Sequence, residues 1–314
     1  MEDQHDNNGT AFNNVFMVVF TFQALAGMWI NGFIVAVSCM AWFKKRSLNS
    51  NEKILLVLGC LRFWFLCITW IYVIISTFFP SYFSDWGIIQ MFVAFLCFLN
   101  SSNVWTSACL YVFYCIKIAN FRNNFFVHLK VKIDRIVPWL LLGSVVLSLA
   151  YCIPLLDITD GGNRNNLSSI FQGNFWQVND EIRKHFFYIY SVCTFGFSVA
   201  FIVVIFSAFL LLFSLWRHKH QMQTSSARSL SVDAHVRAMK SLLSFFFIYS
   251  INYVSFLSAL FYESKEDFLT VFLLLLQYAF PVVHSLVLIF SSPKLKKIVL
   301  RILSCAKCRD CVRQ

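Results

Sequence analysis

Seven stretches of this chain are apolar for about the length a helix needs to cross a bilayer, roughly 20 residues at a rise of 1.5 Å each. They run approximately 13–43, 54–79, 87–116, 136–156, 186–216, 241–262 and 268–291. Runs of this length exceed the ~10 alternating residues of a barrel strand, so the expected fold class is an all-α membrane protein, a seven-helix transmembrane bundle. Residues 1–12 form a polar extracellular N-terminus, residues 13–291 the membrane domain, and residues 292–314 a cytoplasmic tail. The opening MEDQHDNNGT has no basic region ahead of the first span, which argues against a cleavable signal peptide.

Charge sets the orientation. Of 26 Lys and Arg, 21 fall on one side of the predicted spans, at positions 44–53, 117–135, 217–240 and beyond 292. The other side carries Arg164, Arg183, Lys184 and Lys265 together with 11 of the 15 acids. By the positive-inside rule the N-terminus lies outside and the C-terminus in the cytoplasm, as an odd number of spans requires. A net charge of +11 would suggest nucleic acid as the partner of a soluble protein. In this chain the charge sits beside the membrane instead, facing anionic lipid or an acidic protein surface, and no nucleic-acid partner is expected.

Arg62 is the one charge placed deep within a span, and no acid within the spans is available to it. A guanidinium in hydrocarbon costs several kcal/mol unless hydrated or hydrogen-bonded, so Arg62 must face the bundle. Asn31 on the first helix and Ser285 on the seventh are the expected partners, either as a static staple or as a network that rearranges on activation. The lack of intramembrane carboxylates disfavours an ion-coupled pump. No GxSxG, P-loop or helical metal-ligand motif is present, so neither an enzyme nor a cofactor or metal site is expected.

Neutral polar and aromatic residues recur at outer to middle depth. They are Asn103 and Trp105 on the third span, Tyr188 on the fifth, Asn252, Tyr253 and Phe256 on the sixth, and Gln277 on the seventh, where apolar Leu274 is a further candidate. Apolar walls with a few hydrogen-bonding groups suit small amphipathic molecules rather than charged transmitters, although such residues also bond helix to helix. Asn8 and Asn166 begin sequons in segments placed outside. Cys305, Cys308 and Cys311 follow the amphipathic stretch PKLKKIVLRIL, predicted as a short helix after the seventh span. They suit acylation beside the membrane or remain solvated thiols.

Several strings resemble the vertebrate bitter taste receptors, the type 2 taste receptor family. They are Asn31-Gly32-Phe33-Ile34, Leu55-Leu56 leading to Arg62, Phe113 to Phe121 with its KIANF, Leu140 to Ser144, His235 to Ser241 with its HVRAMK, and His284 to Ile289 with Pro293 to Lys296. The resemblance implies a G-protein-coupled receptor of the plasma membrane for bitter small-molecule agonists, signalling through a heterotrimeric, gustducin-type G protein to phospholipase C and calcium. It implies a ligand-facing Trp105, with Cys109 where relatives often carry Asn, and a glycosylated second outer loop at Asn166. It also implies G-protein contacts at Lys117, Asn120, Phe121, His235 and Lys240. A vomeronasal type 1-like receptor and, more remotely, a seven-helix transporter are the alternatives. The residues leave homo- and hetero-oligomers open, along with the agonists.

Overall fold

The computed structural model describes residues 2–79, 86–119, 124–157, 180–223, 230–261 and 268–312. Among these residues the fold is entirely helical: α1 (Glu2–Lys45), α2 (Ser50–Phe78), α3 (Trp86–Ile118), α4 (Asn124–Asp157), α5 (Asp180–Gln223), α6 (Leu230–Phe261), α7 (Phe268–Ser291) and α8 (Pro293–Val312).

Among the described residues, six helices contain apolar spans long enough to cross a membrane: Val15–Lys45, Ser50–Phe78, Met91–Ile118, Phe126–Ile153, Thr194–Ser214 and Phe272–Ser291. In α6 the corresponding apolar stretch among the described residues is shorter, Leu243–Ser258. Helices α1, α4, α5 and α6 also run well past the apolar windows, into polar or basic sequence. Once a helix is nucleated each added residue gains a backbone hydrogen bond, so polarity alone does not end it.

The ends that are visible have local causes. Arg46 closes α1 in the left-handed region at φ 55°, its amide bonded to the Trp42 carbonyl at 2.7 Å. At the start of α2 the amide of Asn49 donates to Glu52 Oε2 at 3.1 Å, one half of a capping box. Pro293 opens α8 directly after Ser292, where its missing N–H costs nothing.

Burial is inverted relative to a water-soluble bundle. Trp29 is 81% exposed and Phe22 76%, whereas Arg62, Asn31 and Ser285 are 0% exposed. The outer surface is what lipid would solvate, and polar groups gather inside. Helix α3 is central, packed against α2, α4 and α5, while α7 bridges α1 and α6. Small residues on α3 permit this closeness: Ser101, Ser102, Thr106, Ser107 and Ala108 are all buried. Thr106 and Ser144 of α4 share a hydrogen bond at 3.2 Å. On α1, a Cβ added to Gly27 would lie 2.5 Å from Leu66 Cδ1 and 2.7 Å from Val282 Cγ2, so a larger residue there would have to displace those side chains where α1 nests against α2 and α7.

Candidate functional site

Arg62 of α2 bonds directly to α3 and α7 and reaches α1 through Ser285. Its Nε donates to Asn103 Oδ1 at 2.8 Å, Nη1 to Ser285 Oγ at 2.8 Å, and Nη2 to Ser107 Oγ at 3.2 Å. Nη2 also contacts His284 Nδ1. Ser285 passes the chain on to Asn31 Oδ1 at 2.7 Å, and Asn31 Nδ2 donates to the Gly27 carbonyl at 2.8 Å. The Phe280 ring lies beneath the guanidinium, 5.9 Å from its carbon. Neutral acceptors and one aromatic face thus surround the charge.

The arrangement fixes a tautomer. Arginine can only donate, so His284 Nδ1 must accept and Nε2 carries the hydrogen. That Nε2, like Asn103 Nδ2 and the hydroxyls of Tyr111 and Tyr249, is buried with no partner among the described residues. Aromatic rings carry the contact onward to α6: His284 lies 4.9 Å from Phe245, which meets Tyr111 of α3 at 6.0 Å, and Tyr249 meets Phe280 at 5.8 Å.

Sequence reasoning expected Asn31 and Ser285 beside Arg62. Ser285 bonds the guanidinium directly, while Asn31 joins through Ser285. The partners it missed are Asn103 in this role, Ser107 and His284. Asn103 and Ser107 are four residues apart on one face of α3, a polar pair whose spacing was a readable signal.

The residues expected to line a ligand pocket divide between faces. Tyr253 Oη shares a hydrogen bond with Ser198 Oγ of α5 at 2.8 Å and its ring stacks on Phe201 at 4.3 Å. Phe256 stacks on Phe197 at 4.5 Å. Asn252 is buried, and Leu274 and Gln277 are half-buried on α7. Cys109 Sγ points to the Leu140 carbonyl of α4 at 3.7 Å, and half-buried Trp105, one turn away on α3, shares that side. Asn103 instead faces Arg62. Tyr188 lies on α5, its side chain outside the described residues.

At the basic end, Lys117 pairs with Asp134 of α4 at 2.8 Å and lies over the Phe113 ring. Ser50 Oγ donates to the Asp134 carbonyl at 3.4 Å, and Tyr114 donates to Asn51 at 3.0 Å. Lys294 of α8 pairs with Glu52 of α2. His235 and Lys240 fall on the first turns of α6 and Cys305, Cys308 and Cys311 on the last turns of α8, their side chains outside the described residues. Asn8 lies on α1 in the same condition, and Asn120, Phe121 and Asn166 lie outside the described residues altogether.

With that geometry in place, comparison with known proteins is specific. The model of the family described as Taste receptor protein (TAS2R) matches residues 9–307. Taste receptor type 2 member 9 of Homo sapiens is 30% identical, over 95% of this chain and 96% of its own. Taste receptor type 2 member 3 of Papio hamadryas is 32% identical over 93% and 94%. Taste receptor type 2 member 40 of Gallus gallus is 31% identical over 95% and 98%.

Proposed function

The chain belongs to the taste receptor type 2 family, and from that premise we propose that it is a plasma-membrane G-protein-coupled receptor for bitter small molecules, acting through a gustducin-type G protein, phospholipase C and calcium. The family match over nearly the whole chain carries this reading. Seven spans with the N-terminus outside complete it. Helix α6, 32 residues and about 48 Å long, lies between α5 and α7 and serves as the sixth crossing.

In this reading agonists enter between α3, α5, α6 and α7, meeting Asn252, Tyr253, Phe256, Leu274 and Gln277, with Trp105, Cys109 and Tyr188 alongside. Asn166 and Asn8 carry glycans, and the tail cysteines carry acyl chains beside the lipid. Neutral polar groups among aromatic rings recognise molecules that bring both a hydrogen-bonding atom and an apolar body.

Arg62 gives binding a route to the cytoplasmic ends. Its donors hold α3 and α7 to α2, so any displacement of α7 must break or exchange bonds to Ser285 and His284. A ligand with unequal affinity for the two packings shifts their populations. The G protein is then met at Lys117, Asn120, Phe121, His235 and Lys240, where basic charge suits an acidic partner.

Calcium imaging tests this directly. Cells expressing the chain with a gustducin-type chimeric Gα should respond saturably to members of a bitter-compound panel, and the response should vanish without the Gα. Silence across the panel at confirmed surface expression would overturn the ligand class.

A further inference from the structure

Helices α3 and α4 pack antiparallel in one register. Lys117 pairs with Asp134 at the basic end, Cys109 Sγ points to the Leu140 carbonyl, and Thr106 bonds Ser144. From the first of these contacts to the last, eleven residues back along α3 correspond to ten forward along α4. Nine residues before Thr106 is Cys97, and eight after Ser144 is Cys152. At 1.5 Å per residue both lie about 12–14 Å further along, so the register brings the two sulfurs level. The side chains meet there, one thiol hydrogen-bonded to the other. Val93, Ala94 and Phe98 pack around them, with Cys152 buried and Cys97 half-buried.

Position in the bundle sets this pair apart. The other neighbouring thiols, Cys39 of α1 and Cys60 of α2, lie nearer the basic end, the side on which cytosolic glutathione keeps cysteines reduced. Cys152 is one residue short of Ile153, where the apolar span of α4 closes at the opposite end. In the orientation proposed above that end faces the secretory lumen during synthesis and the exterior afterwards, both of them oxidising. Helix α4 packs chiefly on α3 and only lightly on α2 and α5, so a bond to α3 is the one that would hold it.

The geometry points to a disulfide between Cys97 and Cys152 that staples α3 to α4 at the outer end of the bundle. A disulfide asks for sulfurs about 2.05 Å apart, which facing thiols already in contact reach by small side-chain rotations. The oxidant is a small disulfide of the glutathione class. The Cys97 sulfur, the more accessible of the two, gives up its proton and attacks one sulfur of that disulfide, expelling the first thiol; Cys152 then gives up its proton and attacks Cys97, expelling the second. One S–S bond forms and one breaks, and the two protons end on the two released thiols. Held this way, the side of α3 that carries Trp105 keeps one depth against α4 while other helices move.

To test the staple, cells expressing the full chain with an N-terminal epitope are lysed directly into denaturant with N-ethylmaleimide, and the digested protein is read by mass spectrometry without reductant. A linked peptide pair carrying Cys97 and Cys152 is expected, with Cys39 and Cys60 alkylated. Reducing the purified protein should lower its melting temperature by roughly 5 °C, and Cys152→Ser should abolish that shift. Epitope labelling on intact cells reports the orientation separately. N-ethylmaleimide on both Cys97 and Cys152 in protein whose epitope is outside, or a reductant shift undiminished in Cys152→Ser, would overturn the staple. The linked pair in cells whose epitope labels only after permeabilisation would sink the orientation proposed above while leaving the bond standing.

Discussion

The guanidinium of Arg62 and the side-chain amide of Asn103 meet at 2.8 Å across the α2–α3 interface, with the arginine fully buried and no carboxylate among its bonded partners. The charge is held by neutral dipoles and the Phe280 ring face. Each bond to a charged group is worth about 1.5–3 kcal/mol, and removing the arginine strands acceptors on α3 and α7.

Arg62→Ala is therefore expected to lose most surface expression. Arg62→Lys should rescue it poorly, because one ammonium cannot span the directions held by a planar fork of five donors. Ser285→Ala removes two bonds, the one from Arg62 and the one to Asn31, and should cost about 2–4 kcal/mol. Flow cytometry of the tagged receptor and thermal unfolding in detergent measure both. A lysine variant as stable as the parent would show that the fork geometry is unimportant.

Asn103→Asp places a carboxylate where a neutral oxygen now accepts. The resulting ion pair in low dielectric should raise the melting temperature. By favouring one packing of the bundle over the other it should also shift the agonist concentration for half-maximal calcium response by about tenfold. An unchanged dose–response curve with a raised melting temperature would separate the network from activation.

Gly27→Ala forces a methyl to within 2.5 Å of Leu66 and 2.7 Å of Val282. Overpacking of this kind costs about 1–3 kcal/mol. Thermal unfolding of the variant should show the loss, and Leu66→Ala in the same chain should recover part of it by opening space on the facing helix.

Asp134→Asn breaks the ion pair with Lys117, both side chains of which are substantially exposed. Exposed pairs contribute about 0–1 kcal/mol, so stability should barely move. Freed for an acidic partner surface, Lys117 should raise the maximal calcium signal, whereas Lys117→Gln should lower it. Paired calcium and unfolding measurements check the separation.

Trp105→Ala and Tyr253→Phe probe the two sides of the proposed agonist pocket. The first empties the α4 side of α3, and the second removes the hydrogen bond to Ser198. Loss of agonist potency of roughly tenfold or more is expected where the ligand sits. Equal potency for Trp105→Ala at matched surface expression would place the ligand on the α5–α6 side.

Much of the architecture was legible because lipid imposes it. Long apolar windows announced α1 to α5 and α7, and the solitary intramembrane charge announced a residue that must face inward. Element ends were less legible. Residues 124–135 of α4 carry His128, Lys130, Lys132, Asp134 and Arg135 and read as a loop, yet the helix includes them. Hydropathy locates the membrane, and it says little about where backbone hydrogen bonding stops.

The amino-acid sequence by itself determined a helical chain with an apolar exterior, a charge that had to be buried and a family identity carried in short strings. It could not say which of many small polar residues would reach that charge. Ser107 and His284 lie 45 and 222 residues from Arg62, and only the packing of α2 against α3 and α7 brings them within reach. The reason is physical. Periodicity records which face of a helix avoids lipid, whereas partner choice depends on helix rotation and depth, which are set by close contacts at Gly27, Ser107 and Thr106 once the bundle has formed.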